Sequence, residues 1–136
     1  MKTPLFLALF ACFLIGCNSP KSLSTDIPSQ EISVEALDST EYDLIVFDPM
    51  FDTFLVTQPY PKSFYSDQYY KNWNSRYCIE WNIRHGNPLR YGDFYETQIP
   101  YDISIDYGID FNFKLYQYFQ FIEKEYGIVL IRRRGR

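Results

Sequence analysis

The sequence is poor in the residues that enzymes and metal proteins use most often for chemistry. It contains one histidine, His85, and three cysteines. A structural or catalytic zinc site needs three or four ligands, mostly nitrogen or sulfur. Because the chain offers so few such ligands, a zinc site is nearly excluded. A catalytic Cys–His or Ser–His pair would have to use His85. Its nearest candidate partners, Cys78 and Ser75, lie seven and ten residues earlier on one predicted helix. Seven residues of helix span about 10 Å, which is too far for a hydrogen bond. We therefore interpret His85 as a cation that interacts with the dipole at a helix end.

The cysteines leave no pair for a disulfide in the folded part of the chain. Cys12 lies in a predicted N-terminal signal, Cys17 directly follows that signal as its predicted modification site, and Cys78 is the only later cysteine. A lone cysteine in an oxidising compartment is either buried or reactive. Because Cys78 lies within a predicted helix between two large side chains, we expect a buried thiol. The stability of the domain has to come from packing.

Positive charge is also scarce, with 13 Lys and Arg against 17 Asp and Glu and a net charge of −4. The basic residues cluster only in the tail at 132–136, which we interpret as a solvated chain end, with anionic lipid or glycan as an alternative contact. No basic face emerges, so nucleic acid is not expected as a partner. The chain has no Gly-rich phosphate loop, and no cofactor is expected.

Long apolar runs are missing apart from one at the N-terminus. Residues 4–16 form an uncharged stretch behind Lys2, and a membrane-spanning helix needs about 20 apolar residues. The stretch is therefore too short to span a membrane and has the form of a secretory signal. It closes on residues 14–17 (LIGC), which resemble a bacterial lipobox, the signal for lipidation of Cys17 and cleavage just before it.

The lipobox predicts a protein that is anchored to a membrane through acyl chains on Cys17. Two chains hold a protein stably, whereas one chain holds it only marginally. No aspartate follows Cys17 directly, and the first acidic residue is Asp26. By analogy with known sorting signals, we expect a cell-envelope protein at the outer membrane, facing the periplasm. The alternatives are a buried N-terminal helix and an ordinary signal peptide that is cut elsewhere.

The rest of the chain is predicted to be one domain on a tether. The signal peptide covers residues 1–16, and residues 17–41 hold six serines, two prolines and no aromatic residue. A segment of this composition buries too little apolar surface to offset the conformational entropy lost on folding, so we expect a flexible tether. Residues 42–131 are long enough for one hydrophobic core. The basic tail at 132–136 ends the chain.

The domain is expected to contain a short sheet. The β-branched and aromatic residues at 42–47 predict a strand, and residues 128–131 predict a second strand that is free to pair with it. The apolar run at 51–57 is ambiguous between a strand and a short helix. No internal repeat is visible.

Two main helices are predicted to pack on this sheet. The first is capped by Ser63 or Ser66, runs to His85 and is followed by Gly86 in the left-handed conformation. The second covers about 110–126. Their apolar stripes are Tyr70, Trp73, Tyr77 and Trp81 in the first helix, and Phe111, Leu115, Tyr118, Ile122 and Tyr126 in the second. The predicted fold class is α+β, with two main helices packed on a short mixed or antiparallel sheet.

Aromatic residues are in clear excess, with 13 Tyr, 12 Phe and 2 Trp making up 20% of the chain. We interpret the aromatic helix stripes as core. The irregular segment 87–109 is a long loop, and such loops are either functional or held down by their own side chains. Exposed aromatic rings suit protein partners and the faces of sugars. The candidate binding residues are the loop tyrosines Tyr91, Tyr95, Tyr101 and Tyr107.

The carboxylates leave two further chemistries open. Asp102, Asp106 and Asp110 lie in an irregular segment but lack the alternating spacing of a calcium loop, and turn roles explain them. No metal site is assigned. Two carboxylates could also act as acid and base in glycoside cleavage, but the sequence does not place any two of Glu80, Glu96, Asp102 and Asp106 at the required separation.

Six short segments of the domain carry a family resemblance. They are residues 42–49 (YDLIVFDP), 63–66 (SFYS), 80–82 (EWN), 90–92 (RYG), 106–108 (DYG) and 114–116 (KLY). Together they resemble an uncharacterised lipoprotein family of the Bacteroidota, over residues 42 to about 130. That family is defined by a domain of unknown function. The resemblance therefore implies a location and a taxonomic setting, but no activity and no catalytic residues.

These observations favour a non-catalytic function over an enzymatic one. The preferred hypothesis is a binding or accessory module in an envelope protein assembly, docking through the loop at 87–109. The alternative is an envelope glycan-binding lipoprotein, and a carboxylate-based hydrolase comes third. An open cleft lined by tyrosines and two close carboxylates would favour glycan binding or hydrolysis, and a flat apolar patch above a few hundred Å² would favour a protein partner.

Overall fold

The computed structural model describes residues 27–37 and 41–134. Within these residues, two β-strands are followed by α-helices of very different lengths. In chain order the elements are β1 (Ile32–Ala36), β2 (Tyr42–Val46), α1 (Pro49–Val56), a 3₁₀ helix (Lys62–Phe64), α2 (Asp67–His85), α3 (Pro88–Tyr91) and α4 (Gly108–Tyr126). The architecture is a small single domain in which helices pack on a two-stranded sheet, so the α+β prediction is confirmed.

Several predicted features lie outside the described residues. They are the signal at 1–16, the lipidation site Cys17, the first part of the tether and the last two residues of the basic tail. Their assignments stay predictions. Among residues 27–37 and 41–134, no helix combines the length and the apolar character that crossing a membrane requires.

The sheet is an antiparallel pair whose first strand lies inside the predicted tether. Ile32 of β1 stands opposite Val46, and Ala36 stands opposite Tyr42. The Ile32 side chain is only 1% exposed and belongs to the core. The prediction of a flexible tether up to residue 41 is therefore wrong for β1. The average composition of that segment is polar, but its apolar residues alternate along the strand and bury one face.

The strand predicted at 128–131 does not form. β1 occupies the position beside β2 that this segment was expected to take. Residues 128–131 instead follow the left-handed Gly127 (φ 66°) as irregular chain, and Leu130 is buried in the core. The carbonyls of Val129 and Leu130 accept hydrogen bonds from Arg84. These two carbonyls are thus bonded by a side chain rather than by a neighbouring strand.

The ambiguous run at 51–57 is helical and forms most of α1. Asp48 caps the helix, since its Oδ1 accepts a hydrogen bond of 2.9 Å from the Met50 amide, and Pro49 occupies the first helical position. Both features are favourable at a helix start. The buried rings of Phe51 and Phe54 pack against Phe121 of α4. Helical spacing thus puts both rings on the core side.

The long helix α2 begins where the serine pattern predicts. Ser66 is its cap, with Oγ accepting from the Tyr69 amide at 3.2 Å, and the helix ends at His85. The predicted left-handed conformation of Gly86 is wrong, because its φ is −69°. Its amide still donates to the Asn82 carbonyl, and α3 starts two residues later. No left-handed turn is needed between the two helices.

The core is built around α4, which packs against α2, α1 and β2. The predicted aromatic stripes face this core, with Trp73 and Tyr126 only partly buried at its edge. The largest fully buried rings are Trp81, Tyr70, Tyr77, Tyr118, Phe51, Phe119 and Phe121. Many of them meet edge to face, an arrangement that aromatic pairs prefer. This packing stabilises the domain without a disulfide among the described residues.

Candidate functional site

Two of the four predicted binding tyrosines belong to the core. Tyr95 and Tyr107 are each 6% exposed. Tyr95 lies edge-on to Trp81 at 4.9 Å between ring centroids, and its hydroxyl accepts a hydrogen bond from Arg84. Tyr107 stacks on Phe111 at 4.7 Å. These two rings therefore do not form the exposed contact surface that was expected of the loop.

Tyr91 and Tyr101 are half-buried. Tyr101 stacks on Tyr107, and its hydroxyl donates to Asn112 Oδ1 at 2.8 Å. Burial raises the pKa of Tyr101 well above its ordinary value. Tyr91 lies against the Arg84 guanidinium at 5.3 Å. Binding by either residue stays a prediction, but the four loop tyrosines do not share one surface.

The loop itself is held down by specific hydrogen bonds. Asn82 on α2 bonds both backbone groups of Ile99, with its amide nitrogen donating and its oxygen accepting at 2.9 Å each. Thr97 Oγ1 donates to the carbonyl of Ile32 on β1, and its backbone carbonyl accepts from Trp81 Nε1. Of the two roles expected for a long loop, the structure supports a structural one for this segment.

The candidate catalytic carboxylates serve turns and ion pairs. Glu80 accepts from Arg84 Nε at 2.8 Å, and Glu96 accepts from Ser29 Oγ at 2.7 Å. Asp102 accepts two hydrogen bonds from Ser104, which lower the pKa of the carboxyl group. Among the described residues, no three His, Cys, Asp or Glu side chains come close enough to hold a metal ion.

The two remaining reactive side chains also have structural surroundings. Cys78 is buried, as expected, and burial raises the pKa of its thiol far above the ordinary value. Because the thiolate is the nucleophile, this burial disfavours the reactive form of the cysteine. His85 is the last residue of α2, and its Nδ1 donates to the Tyr95 carbonyl at 2.8 Å. The buried state of Cys78 is as predicted, whereas the interaction of a charged His85 with the helix dipole stays a prediction.

An open cleft lies between the α1–α2 connection and one face of α4. Its volume is about 430 Å³, within the usual range for ligand sites. We call it the tyrosine cleft. Its principal lining residues are Tyr60 and Tyr65 from the connection, Tyr70 from α2, and Tyr116, Gln117 and Gln120 from α4.

The outer wall of the tyrosine cleft is a group of stacked, exposed rings. Tyr60 is 55% exposed and stacks on Phe64 at 4.2 Å, and Tyr65 is 38% exposed and stacks on Tyr69 at 4.0 Å. Stacking against a neighbour fixes each ring's orientation, so little side-chain entropy is left to lose on binding. The wall thus presents pre-oriented aromatic surface to solvent.

The segment that carries these rings is fixed at several points. Pro61 accepts a backbone hydrogen bond from Phe64 and starts the 3₁₀ helix. The hydroxyl of Tyr70 donates to the Lys62 carbonyl at 3.1 Å, and the Lys62 ammonium pairs with Asp110 at the start of α4. These contacts connect the outer wall to both long helices.

The inner wall of the cleft contains a polar side chain with unused hydrogen-bonding capacity. Gln117 is only 7% exposed and lines the cleft, yet its side-chain amide makes no hydrogen bond to any residue within 27–37 or 41–134. Its amide is not among the fully buried unpaired side-chain atoms of the described residues, so it reaches the open space of the cleft. The Gln117 amide is therefore placed to bind water or a ligand. Gln120 lies one turn further along and donates weakly to the Tyr116 carbonyl at 3.4 Å.

One residue of the basic tail, Arg133, contacts a tyrosine that lines the cleft. Arg133 donates to the hydroxyl groups of Tyr116 (2.9 Å) and Tyr77 (3.0 Å), and its guanidinium lies 4.2 Å from the Trp73 ring centroid. The interpretation of the tail as a solvated chain end is therefore wrong for Arg133, although Arg132 and Arg134 are exposed. A planar guanidinium suits this stacked and hydrogen-bonded site.

Replacing Arg133 by alanine is expected to lower the free energy of unfolding by about 2 kcal/mol, because a cation–π contact and hydrogen bonds to two tyrosines are lost. Urea unfolding followed by tryptophan fluorescence measures the change. Arg132→Ala and Arg134→Ala are the matched controls, with changes of no more than about 0.5 kcal/mol. Equal effects of all three variants would contradict a specific role for Arg133.

Sequence reasoning missed the tyrosine cleft although two signals for it are present. Five aromatic residues fall between positions 60 and 70, beside two prolines. On α4, residues 113, 116, 117, 120 and 124 recur at helical spacing, and they form a stripe beside the one that faces the core. This second stripe of α4 mixes polar and aromatic residues, and that mixture was the available sign that it lines a cleft.

The comparisons with known proteins give a family but no activity. A family model described as a family of unknown function (DUF6146) matches residues 5–133. The match is wider than the resemblance over residues 42–130, and it includes β1 and the residues before it. No curated protein and no solved structure matches the chain.

Proposed function

We propose that this chain, which belongs to the family of unknown function DUF6146, is a lipid-anchored, non-catalytic binding or accessory module of the cell envelope. The observation that carries the binding role is the tyrosine cleft, where pre-oriented rings lie beside the Gln117 amide, which has no hydrogen-bond partner among the described residues. The anchor is supported by the lipobox at 14–17 and by the resemblance to lipoproteins of the Bacteroidota.

Binding fits the composition of the cleft better than hydrolysis does. Glycoside hydrolysis by the common mechanism needs two carboxylates on either side of the scissile bond. Glu123 is the one carboxylate that the described residues contribute to the cleft. The hydrolase hypothesis therefore gains no support from this site, whereas a cleft lined by tyrosines favours binding.

The proposed site of action is close to the membrane surface, at the outer membrane and facing the periplasm. The chain from Cys17 to Ile27 spans at most about 35 Å when fully extended. Because β1 and the residues just before it belong to the domain, the anchor holds the domain nearer to the lipid than a tether up to residue 41 would. A partner of the cleft is accordingly an envelope component close to the membrane surface.

Replacing Cys17 by serine is expected to abolish lipidation and release the protein from membranes, because serine offers no thiol for the thioether bond. The measurement is labelling with a palmitate analogue, combined with separation of membrane and soluble fractions. Cys12→Ser is the matched control, since it changes a cysteine in the same apolar run and should leave both readouts unchanged. Continued labelling of the Cys17→Ser variant would sink the anchor proposal.

The binding role is tested by crosslinking in cells. We expect the wild-type protein to capture an envelope component and the Tyr60→Ala/Tyr65→Ala variant to capture much less of it. Leu89→Ala is the control, because Leu89 is fully exposed and lies outside the cleft. If the wild type and the double variant give the same products, or if neither gives any, the cleft is not the binding site.

A further inference from the structure

The chemistry of the tyrosine cleft points to the class of its ligand. We propose that it binds a neutral saccharide, an inference that rests on the proposed binding function.

The aromatic wall suits the apolar face of a sugar ring. A pyranose has C–H groups on its faces and hydroxyl groups around its rim, so it stacks on an aromatic face while its rim stays hydrogen-bonded. Tyr60 and Tyr65 each use a ring face to stack on Phe64 and Tyr69. Both rings keep substantial exposed area. They are therefore stacking platforms that are already held in place before a ligand arrives.

The inner wall suits the rim of the same ligand. The Gln117 amide has no hydrogen-bond partner among the described residues, and a primary amide offers two donors and an acceptor with two lone pairs. Hydroxyl and acetamido groups likewise donate and accept. A sugar rim can therefore satisfy both ends of this amide, whereas a purely apolar ligand would leave it buried and unpaired.

The charges at the cleft favour a neutral ligand. Glu123 and Lys124 are the charged side chains that the described residues place at its edge, and their charges offset one another. Lys124 also lies over the Phe54 ring and beside Glu125. No arginine lines the cleft within the described part of the chain, although arginine forks are the usual means of recognising phosphate or carboxylate groups.

The frame of the cleft argues against a peptide that binds as an added β-strand. Peptides that bind as an added strand need a free sheet edge, whose backbone groups supply the affinity. The tyrosine cleft is framed by α2, α4 and the connection that holds the 3₁₀ helix. Their side chains, and not a sheet edge, form the contact surface. Capture of a protein through the cleft is therefore the competing outcome of the test.

The test is isothermal titration calorimetry on the full chain purified in detergent, with three neutral trisaccharides: tri-N-acetylchitotriose, cellotriose and maltotriose. We expect at least one of them to bind with one site per chain. Gln117→Leu should weaken that binding about fivefold, because one hydrogen-bonding group is lost at nearly constant volume. Tyr60→Ala should weaken it by a similar factor or more, because a stacking platform is removed.

Matched controls separate these effects from damage to the fold. Gln98→Leu makes the same change at an exposed position outside the cleft and should leave the affinity unchanged. The melting temperature of each variant is measured alongside. If Gln117→Leu loses stability, Tyr60→Ala decides, since Tyr60 is exposed and its removal should not disturb the core.

The outcomes distinguish this inference from the proposed function. Lack of binding of all three saccharides, or equal affinity in the wild type, Gln117→Leu and Tyr60→Ala, overturns the saccharide inference. If crosslinking nevertheless captures a protein in a way that depends on Tyr60 and Tyr65, the binding function stands with a different ligand class. If neither readout depends on the cleft residues, both proposals fail.

Discussion

Replacement of Trp81 by alanine is expected to lower the free energy of unfolding by about 3–5 kcal/mol. The indole is 0% exposed and lies at the junction of α2, α4 and the loop that follows α3. Its ring contacts those of Tyr95 (4.9 Å) and Tyr118 (5.7 Å). Its Nε1 donates to the Thr97 carbonyl at 2.7 Å. Truncation therefore leaves a cavity and also removes one of the hydrogen bonds that hold the loop on the core.

The comparison with Trp73 makes this prediction specific. Trp73 lies on the same helix but is only partly buried, with the guanidinium groups of Arg76 and Arg133 over its ring. Its replacement by alanine should cost about 1–2 kcal/mol, because less area returns to water. Urea unfolding of both variants, followed by far-UV circular dichroism, measures the difference. Equal midpoints for the two variants would contradict the assignment of Trp81 to the core.

The helices were accessible to sequence reasoning because their signals are local. The apolar stripe of α4, from Phe111 to Tyr126, repeats at helical spacing over about four turns, and Ser66, one of the two predicted serines, caps α2. The predicted left-handed conformation of Gly86 was wrong because α3 starts two residues later and the chain makes no left-handed turn before it. A glycine near a helix end is compatible with several conformations, and the following residues select among them.

The sheet was less accessible because strand pairing is not local. The β-branched residues at 128–131 carry a stronger strand signal than β1, yet β1 pairs with β2. The hydroxyl of Thr97 bonds both backbone groups of Ile32 on β1, a contact across 65 positions of sequence. Strand propensity mainly reflects the surroundings of a half-buried surface. A short polar-looking strand can therefore displace a better isolated candidate.

The candidate site was missed for a related reason. Aromatic composition alone does not say which rings are exposed, so Tyr95 and Tyr107 were assigned to the surface although they pack in the core. The tyrosine cleft joins segments near residues 60–70 and 113–124, and its depth depends on how the α1–α2 connection crosses α4. The Gln117 amide becomes informative only when its burial is known, since an exposed glutamine on a helix needs no partner.

Arg84 connects the parts of the fold that the sequence left unassigned. Its guanidinium bonds Glu80 on its own helix, the Tyr95 hydroxyl in the loop, and the carbonyls of Val129 and Leu130. It thereby provides hydrogen-bond donors to two carbonyls of the segment 128–131, which was predicted to be a strand but is irregular. A compact ammonium group cannot reach four acceptors in three directions, whereas the fork of an arginine can.

Replacement of Arg84 by alanine is therefore expected to lower the free energy of unfolding by about 2–4 kcal/mol, because a partly buried carboxylate and a buried hydroxyl lose their partner. Arg84→Lys separates charge from shape. It keeps the positive charge near Glu80 but cannot hold both the loop and the C-terminal segment, so it should recover less than half of the loss. Hydrogen exchange should then show faster opening near residues 128–131 than in α2. A lysine variant as stable as the wild type would mean that Arg84 acts as a single charge, and that other contacts hold the C-terminal segment in place.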